Sequence, residues 1–186
     1  KCEKERVRLV LDECFVQFLT SGEEASMQLE TGRFRYLFVL QAFTKIYAVP
    51  GIRLGYGISS DKALLERMET VRQPWSVSTP AQAAGLSALK EDHREEQTRQ
   101  LVKSERERME KELENLRIEY IPSEANFLLF NSEINWFEEL KKRGILIRDC
   151  ANYRGLGNGW YRLAVRLPEE NDRLLECMKQ VLNERS

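Results

Sequence analysis

"YLFVLQAFTKIYAVPGIRLGYGIS", residues 36–59, joins a near-continuous apolar run to a proline-glycine turn and a second, weaker run. Such an unbroken run is the pattern of a strand buried on both faces of a parallel sheet. It closes on Thr44 and Lys45; Pro50-Gly51 follows, and Arg53 lies just beyond the turn. A lysine at the end of a buried strand has a plain explanation, a packed stem whose amine reaches water. Held among apolar side chains, the same amine loses solvation and its pKa falls. It is then a nucleophile able to form a Schiff base. The carboxyl ends of parallel strands are where open α/β sheets bind ligands. Arg53 adds a planar fork suited to phosphate, so an aldehyde carrying a phosphate would use both groups.

Upstream, "VRLVLDECF" (7–15) reads as another buried strand, ending at Asp12. The polar connection "TSGEEASMQLETGRF" (20–34) has room for a short helix. Downstream, "SSDKALLERMETVRQ" (59–73) reads as an amphipathic helix with Ser60 as N-cap. Pro74 breaks it, and Thr79-Pro80 opens the next helix. A long run dense in opposite charges follows, with Leu101, Val102, Met109, Leu113 and Leu116 as one narrow buried stripe. From "RIEYIPSEANFLLF" (117–130) onward the order is strand, helix, strand, strand and final helix. The expected class is therefore α/β, part of a mostly parallel, helix-covered sheet over residues 1–90. A long connecting helix (91–117) leads from it to a small α+β domain (118–186).

The 186 residues carry 29 basic and 30 acidic side chains, a formal net charge of -1. That balance gives no whole-chain attraction to nucleic acid or anionic membrane, and the charged helix interleaves its signs, so no positive stripe forms. No apolar run approaches the ~20 residues that span a bilayer. Cys2, Cys14, Cys150 and Cys177 form no CxxC pair, which leaves no metal-site spacing and fits reduced thiols in a cytoplasmic protein. The one histidine, His93, reads as part of a solvated helix face. The first residues lack both an initiator Met and a secretory core, the expectation for a truncated or processed chain.

A phosphorylated aldehyde of this kind needs a carboxylate at its far end. Pyridoxal phosphate is an electron sink while its ring nitrogen stays protonated, and a partner acid maintains that state. Asp12, closing the first strand, is the best-placed candidate; its plain explanation is a strand-end aspartate. "LDECFVQF" (11–18) followed by "FTKIYAVPGIRLGYG" (43–57) resembles the fold-type I pyridoxal-phosphate enzymes of the class I/II aminotransferase group. "QPWSVSTPAQAAGLSAL", "EANFLLF" and "ILIRDCANYRGLGNGWYRLAVR" are similar in order and spacing to the group's carboxyl-terminal half. The likeness is greatest to the branch holding threonine-phosphate decarboxylases, of cobalamin synthesis, and histidinol-phosphate aminotransferases.

The resemblance implies that Lys45 is the Schiff-base lysine and proton shuttle. Asp12 would then pair with the ring nitrogen, while Arg53, with Thr44 assisting, binds the cofactor phosphate. It implies Arg162 and Arg148 as the substrate's acid-group arginines, on a small phosphorylated amino acid or amine, in a homodimer. The plain explanation of Arg148 is a strand-end cation; Arg154 and Arg166 have no comparable claim. Two positions depart from the family. Ala42 stands where Ser or Thr is common, and Phe15 stands where many members have Tyr. The group's phosphate-cradling glycine turn, ring-stacking aromatic, aspartate-neighbouring asparagine and partner-subunit tyrosine have no counterpart here. The expectation is a carboxyl-terminal piece that binds cofactor weakly alone. The reading inclines to a decarboxylase through "YRGLGNGWYRLAVR" (153–166), with an aminotransferase or a non-catalytic paralogue as alternatives.

Overall fold

The two upstream apolar runs form neighbouring parallel strands, β1 (Leu9–Asp12) and β2 (Leu37–Ala42), with Asp12 opposite Leu40. A short helix α1 (Cys2–Glu5) precedes them, and α2 (Phe43–Ile46) follows β2 directly. After a 3-10 turn at Pro50–Ile52, β3 (Gly55–Ile58) pairs antiparallel with β2, Ala42 opposite Gly55. The sheet order is β1-β2-β3, one parallel and one antiparallel pair. The antiparallel step has a local cause. The chain between β2 and β3 holds only a single-turn helix and a proline-glycine turn, which reverses it like a hairpin instead of carrying it across the sheet.

β2 is central and buries Leu37, Phe38 and Val39. β1, expected to be buried, exposes Leu9 and Val10, because it is an edge of this three-stranded sheet. Helix α3 (Lys62–Val71) is capped by Asp61, whose Oδ1 accepts from the Leu64 N–H at 3.3 Å. Asp61, not Ser60, is therefore the cap. It is buried and also ion-paired to Arg8 at 2.5 Å, so this carboxylate ties the start of α3 to the entry of β1. Helix α4 (Thr79–Ala88) is capped by Ser78 and opens on Thr79-Pro80 as expected. It packs closely at Gly85, where a Cβ would lie 2.6 Å from Leu54 Cδ2.

This computed structural model describes residues 1–91 and 93–185, the side chains at 22 and 23 excepted. The chain divides into two compact units, Lys1–Arg99 and Gln100–Ser186, and the division falls within helix α5 (Arg94–Asn115). Position 92, inside the expected long helix, lies outside the described residues. His93, expected on a helix face, stands one residue ahead of α5 with φ 68°, exposed.

The second unit is a four-stranded antiparallel sheet in the order β4 (Glu119–Ile121), β5 (Phe127–Asn131), β7 (Trp160–Ala164), β6 (Arg148–Asp149). Helix α6 (Trp136–Lys142) lies between β5 and β6 in sequence, and α7 (Pro168–Asn183) ends the chain. Alternation along the strands gives the sheet two unlike faces. Leu128, Phe130, Tyr161 and Leu163 point into a core with Met109, Leu113, Trp136, Leu140 and Met178. Phe127, Leu129 and Arg162 lie on the other, less buried face. The α5 stripe is narrower and more polar than expected. Met109 and Leu113 are fully buried, yet Leu101 is exposed, while Glu105 and Arg106 are buried. Arg106 Nη1 donates to the main-chain oxygens of Glu124 and Ala125, fixing the approach to β5. Asn171 donates to Glu105 at 2.7 Å and accepts from the Arg166 N–H, so α5 and α7 are joined by a buried polar contact.

Candidate active site

Strand register brings three of the expected residues to one sheet edge. Asp12 is the last residue of β1, and the parallel pairing puts it level with the end of β2. Lys45 follows β2 within α2. Arg53 precedes β3, whose first residue pairs with the last of β2. All three therefore stand at the carboxyl edge of the parallel pair, where such sheets bind ligands.

Each has a defined neighbourhood. Asp12 Oδ1 accepts from the Cys14 N–H at 3.0 Å. Hydrogen bonds from Cys14, the thiol first and then the amide, hold the Asp12 carboxyl below the usual carboxylate range, so it is an anion at neutral pH. Cys14 is pushed up to about 11 by burial and then by its bond to Asp12, and stays a protonated donor. Lys45 Nζ lies 5.3 Å from the centroid of Phe15, a cation–π contact. Thr44 is buried beside it. The Lys45 side chain is exposed, whereas the sequence reading had its amine desolvated among apolar groups. The physical reason is its place on a single helical turn at the sheet edge, where the neighbours named above leave it open to water. Arg53 is also exposed. It caps the 3-10 turn in the left-handed conformation at φ 57°, with Nη1 donating to the Pro50 carbonyl at 3.0 Å. A non-glycine residue held so costs about 1–2 kcal/mol of backbone strain.

Arg148 and Arg162 belong to the second unit and are direct partners across β6 and β7. Opposite residues share a face, so both guanidiniums leave the same side of the sheet. Arg162 stacks on Phe127 at 5.1 Å and Arg148 on Tyr153 at 5.6 Å, and Arg148 Nη2 reaches Asn152 Oδ1 at 3.4 Å. Burial raises the nearby Cys150 thiol, opposed by the positive charges of Arg162 and then Arg148. Neither guanidinium forms an ion pair among the described residues, in contrast to Arg166, which is bound to Glu170 at 2.7 Å. Two arginines on one face with no ion pair among the described residues present two planar forks, each able to bind an anion through two hydrogen bonds. Arg154 is exposed.

The sequence reading passed over Cys14, Phe127 and Tyr153. Cys14 carried a legible signal, being two residues beyond a strand-end aspartate, the spacing at which Asp side chains bond a following amide. Phe127 and Tyr153 carried none, since their stacking depends on strand register and loop path.

Known proteins supply the context for this geometry. The threonine-phosphate decarboxylase of Salmonella typhimurium is 36% identical over 186 residues, covering 98% of this chain and 50% of that protein. Histidinol-phosphate aminotransferase 1 of Archaeoglobus fulgidus is 37% identical over 175 residues, covering 94% and 52%. The chain thus spans about half the length of the curated relatives it matches. Among solved structures, the histidinol-phosphate aminotransferase of Clostridium acetobutylicum superposes with a TM-score of 0.91 at 31% identity, covering 98% of this chain and 56% of that one. The L-threonine-O-3-phosphate decarboxylase of Porphyromonas gingivalis follows at 0.82 and 25%, covering 95% and 55%. The family described as aminotransferase class I and II matches residues 1–177, and with the edge site above, this places the chain in that family.

Proposed function

We propose that this chain supplies the lysine-bearing half of a pyridoxal-phosphate-dependent enzyme acting on a phosphorylated amino acid or amine, a threonine-phosphate decarboxylase-like protein. The observation that carries the reading is the gathering of Asp12, Lys45 and Arg53 at one sheet edge by register alone. The donor set fits the cofactor group by group: an anionic carboxylate for a protonated ring nitrogen, an amine for an aldehyde, and a guanidinium for a phosphate. In this reading residues 1–90 are the end of the cofactor-binding domain, 91–117 the connecting helix and 118–186 the small domain.

When bound, pyridoxal phosphate supplies an electron sink for the bond broken at the substrate's α-carbon. The chain's residues do the rest. Asp12 stays ionised and holds a proton at the ring nitrogen. Arg53 anchors the phosphate, with Thr44 assisting. Lys45 Nζ would be the amine that holds the cofactor's aldehyde and the group that moves a proton at the substrate's α-carbon. Arg148 and Arg162 would grip the substrate's acid groups and so orient its α-carbon. Which group at the α-carbon that orientation presents would decide between loss of carbon dioxide and transfer of the amino group.

Transamination of a histidinol-phosphate-like amine is the second reading, supported by the 37% identity to the Archaeoglobus protein. A homodimer in the cytoplasm completes the proposal; among the described residues no helix is long and apolar enough to cross a membrane. The test is to incubate the protein with pyridoxal phosphate, reduce with borohydride and map the labelled peptide. Label on Lys45 is expected; label scattered over exposed lysines would overturn the reading and favour a non-catalytic paralogue. Carbon dioxide release from threonine phosphate, set against keto-acid-dependent amino transfer from histidinol phosphate, separates the two chemistries. Sedimentation velocity checks the dimer.

A further inference from the structure

A cavity of about 200 Å³ in the first unit is lined by Val16, Gln17, Ser26, Gln41, Tyr56 and Glu95, none of them among the residues proposed to hold cofactor or substrate. Gln41 and Tyr56 are direct cross-strand partners on β2 and β3. Gln41 is only 5% exposed, and its Nε2 donates to Glu13 Oε2 at 3.0 Å. That bond fixes the amide: turned over, it would set oxygen against carboxylate. Gln41 Oε1 is left buried with no hydrogen-bond partner among the described residues, and so is Gln17 Oε1.

The charges around it are one-sided. Glu13 is 8% exposed, and its carboxylate accepts from the Ser26 hydroxyl at 2.6 Å and the Met27 N–H at 2.9 Å, as well as from Gln41. These donors are all neutral, and no ion pair to Glu13 occurs among the described residues. Glu95 accepts from the Tyr47 hydroxyl. Burial, then the charges of Glu95 and Glu13, push the Tyr56 phenol up, so it stays neutral. Arg99 is close by but committed: its Nε donates to the Gln17 main-chain oxygen and its Nη1 is paired with Glu96. Two orphaned amide oxygens and Glu95 thus line one cavity, with Glu13 behind the Gln41 amide and the nearby Arg99 committed to other partners, and buried acceptors of this kind need a donor or a positive charge.

We propose that this cavity binds a monovalent cation, an alkali-metal ion or ammonium, through Gln41 Oε1 and Gln17 Oε1, with Glu13 and Glu95 neutralising it. Neutral amide oxygens suit a weakly dehydrating monovalent ion. Divalent and transition ions favour clusters of carboxylate, imidazole or thiolate, and no group of three such residues suited to a metal occurs among the described residues. The ion would pin the 3-10 turn Val16–Phe18, which follows Asp12, to the carboxyl end of β2. The proposal does not rest on the cofactor reading.

The test is thermal unfolding of the purified protein in potassium, sodium, ammonium and tetramethylammonium chlorides at one ionic strength. Expected is a saturable rise of several degrees with one or more of the small ions and none with tetramethylammonium, which is too large and cannot donate. The order of the three small ions distinguishes alkali metal from ammonium. Gln17→Leu should flatten the response. Gln41→Lys, which sets an ammonium in the cavity, should melt higher than the parent in tetramethylammonium chloride and ignore the added ion. Identical melting in all four salts, or an undiminished ion response in Gln17→Leu, overturns the site. Should Gln41→Lys not fold, thallium-205 NMR of the parent protein still decides: a bound signal displaced by potassium supports the site, and its absence refutes it.

Discussion

Arg148 and Arg162 stand directly opposite one another on adjacent antiparallel strands, both guanidiniums on the face of the sheet turned away from its core. Like charges so placed repel. Phe127 and Tyr153 hold them in stacked poses, and among the described residues no carboxylate neutralises either one. A protein that only needed stability would gain nothing from this pair, which is the physical basis for the proposal that it meets an anionic substrate.

Removing either arginine should therefore weaken substrate binding while sparing the fold. Each charge-assisted hydrogen bond is worth about 1.5–3 kcal/mol. Arg162→Ala and Arg148→Ala in the complete enzyme should each raise KM for the phosphorylated substrate roughly tenfold to a hundredfold. Inhibition by inorganic phosphate should weaken in parallel. Unchanged KM in both variants would remove the pair from the site.

Lys45→Ala should abolish borohydride-trapped cofactor and all turnover. The side chain is exposed and its main contact is the Phe15 ring. Loss of stability should therefore stay below about 1 kcal/mol, measurable by urea unfolding. Residual turnover would show that another amine does the chemistry.

Phe15→Tyr tests the departure from the family pattern. The ring lies beside Lys45 Nζ, so an added hydroxyl is positioned near the group proposed to hold the cofactor. If it reaches the charged oxygen of the cofactor ring, affinity should rise by about 1.5–3 kcal/mol, read by equilibrium titration of absorbance. No change would mean that the hydroxyl points elsewhere.

The contact between α5 and α7 makes the second unit acid-sensitive. The Arg108 hydrogen bond, against burial and with help from Asn171, holds the Glu105 carboxyl below its usual range. A carboxyl depressed on folding adds stability above its unfolded pKa of about 4.3, and that stability is lost as pH falls through the folded value. Glu105→Gln should therefore be less stable than the parent at pH 7, with the gap closing below about pH 4. Asn171→Ala leaves the same carboxylate and the Arg166 amide short of partners and should cost about 1–3 kcal/mol in urea unfolding at neutral pH.

Periodicity and chemistry along the chain were enough to reveal the strands around Asp12 and Lys45, the proline-opened helix α4 and the strand-helix-strand-strand-helix order after residue 117. Those features are written in short windows, where apolar alternation, caps and turns act within a few residues. Tertiary structure alone supplied the rest. It set β3 antiparallel, made β1 an edge strand, left Lys45 exposed, buried Glu105 and Arg106 beside the apolar stripe expected of α5, and lined Gln41 and Gln17 onto one cavity. Each of these depends on which distant segment arrives alongside, and a charge or amide looks the same in sequence whether its partner is water or a residue far along the chain.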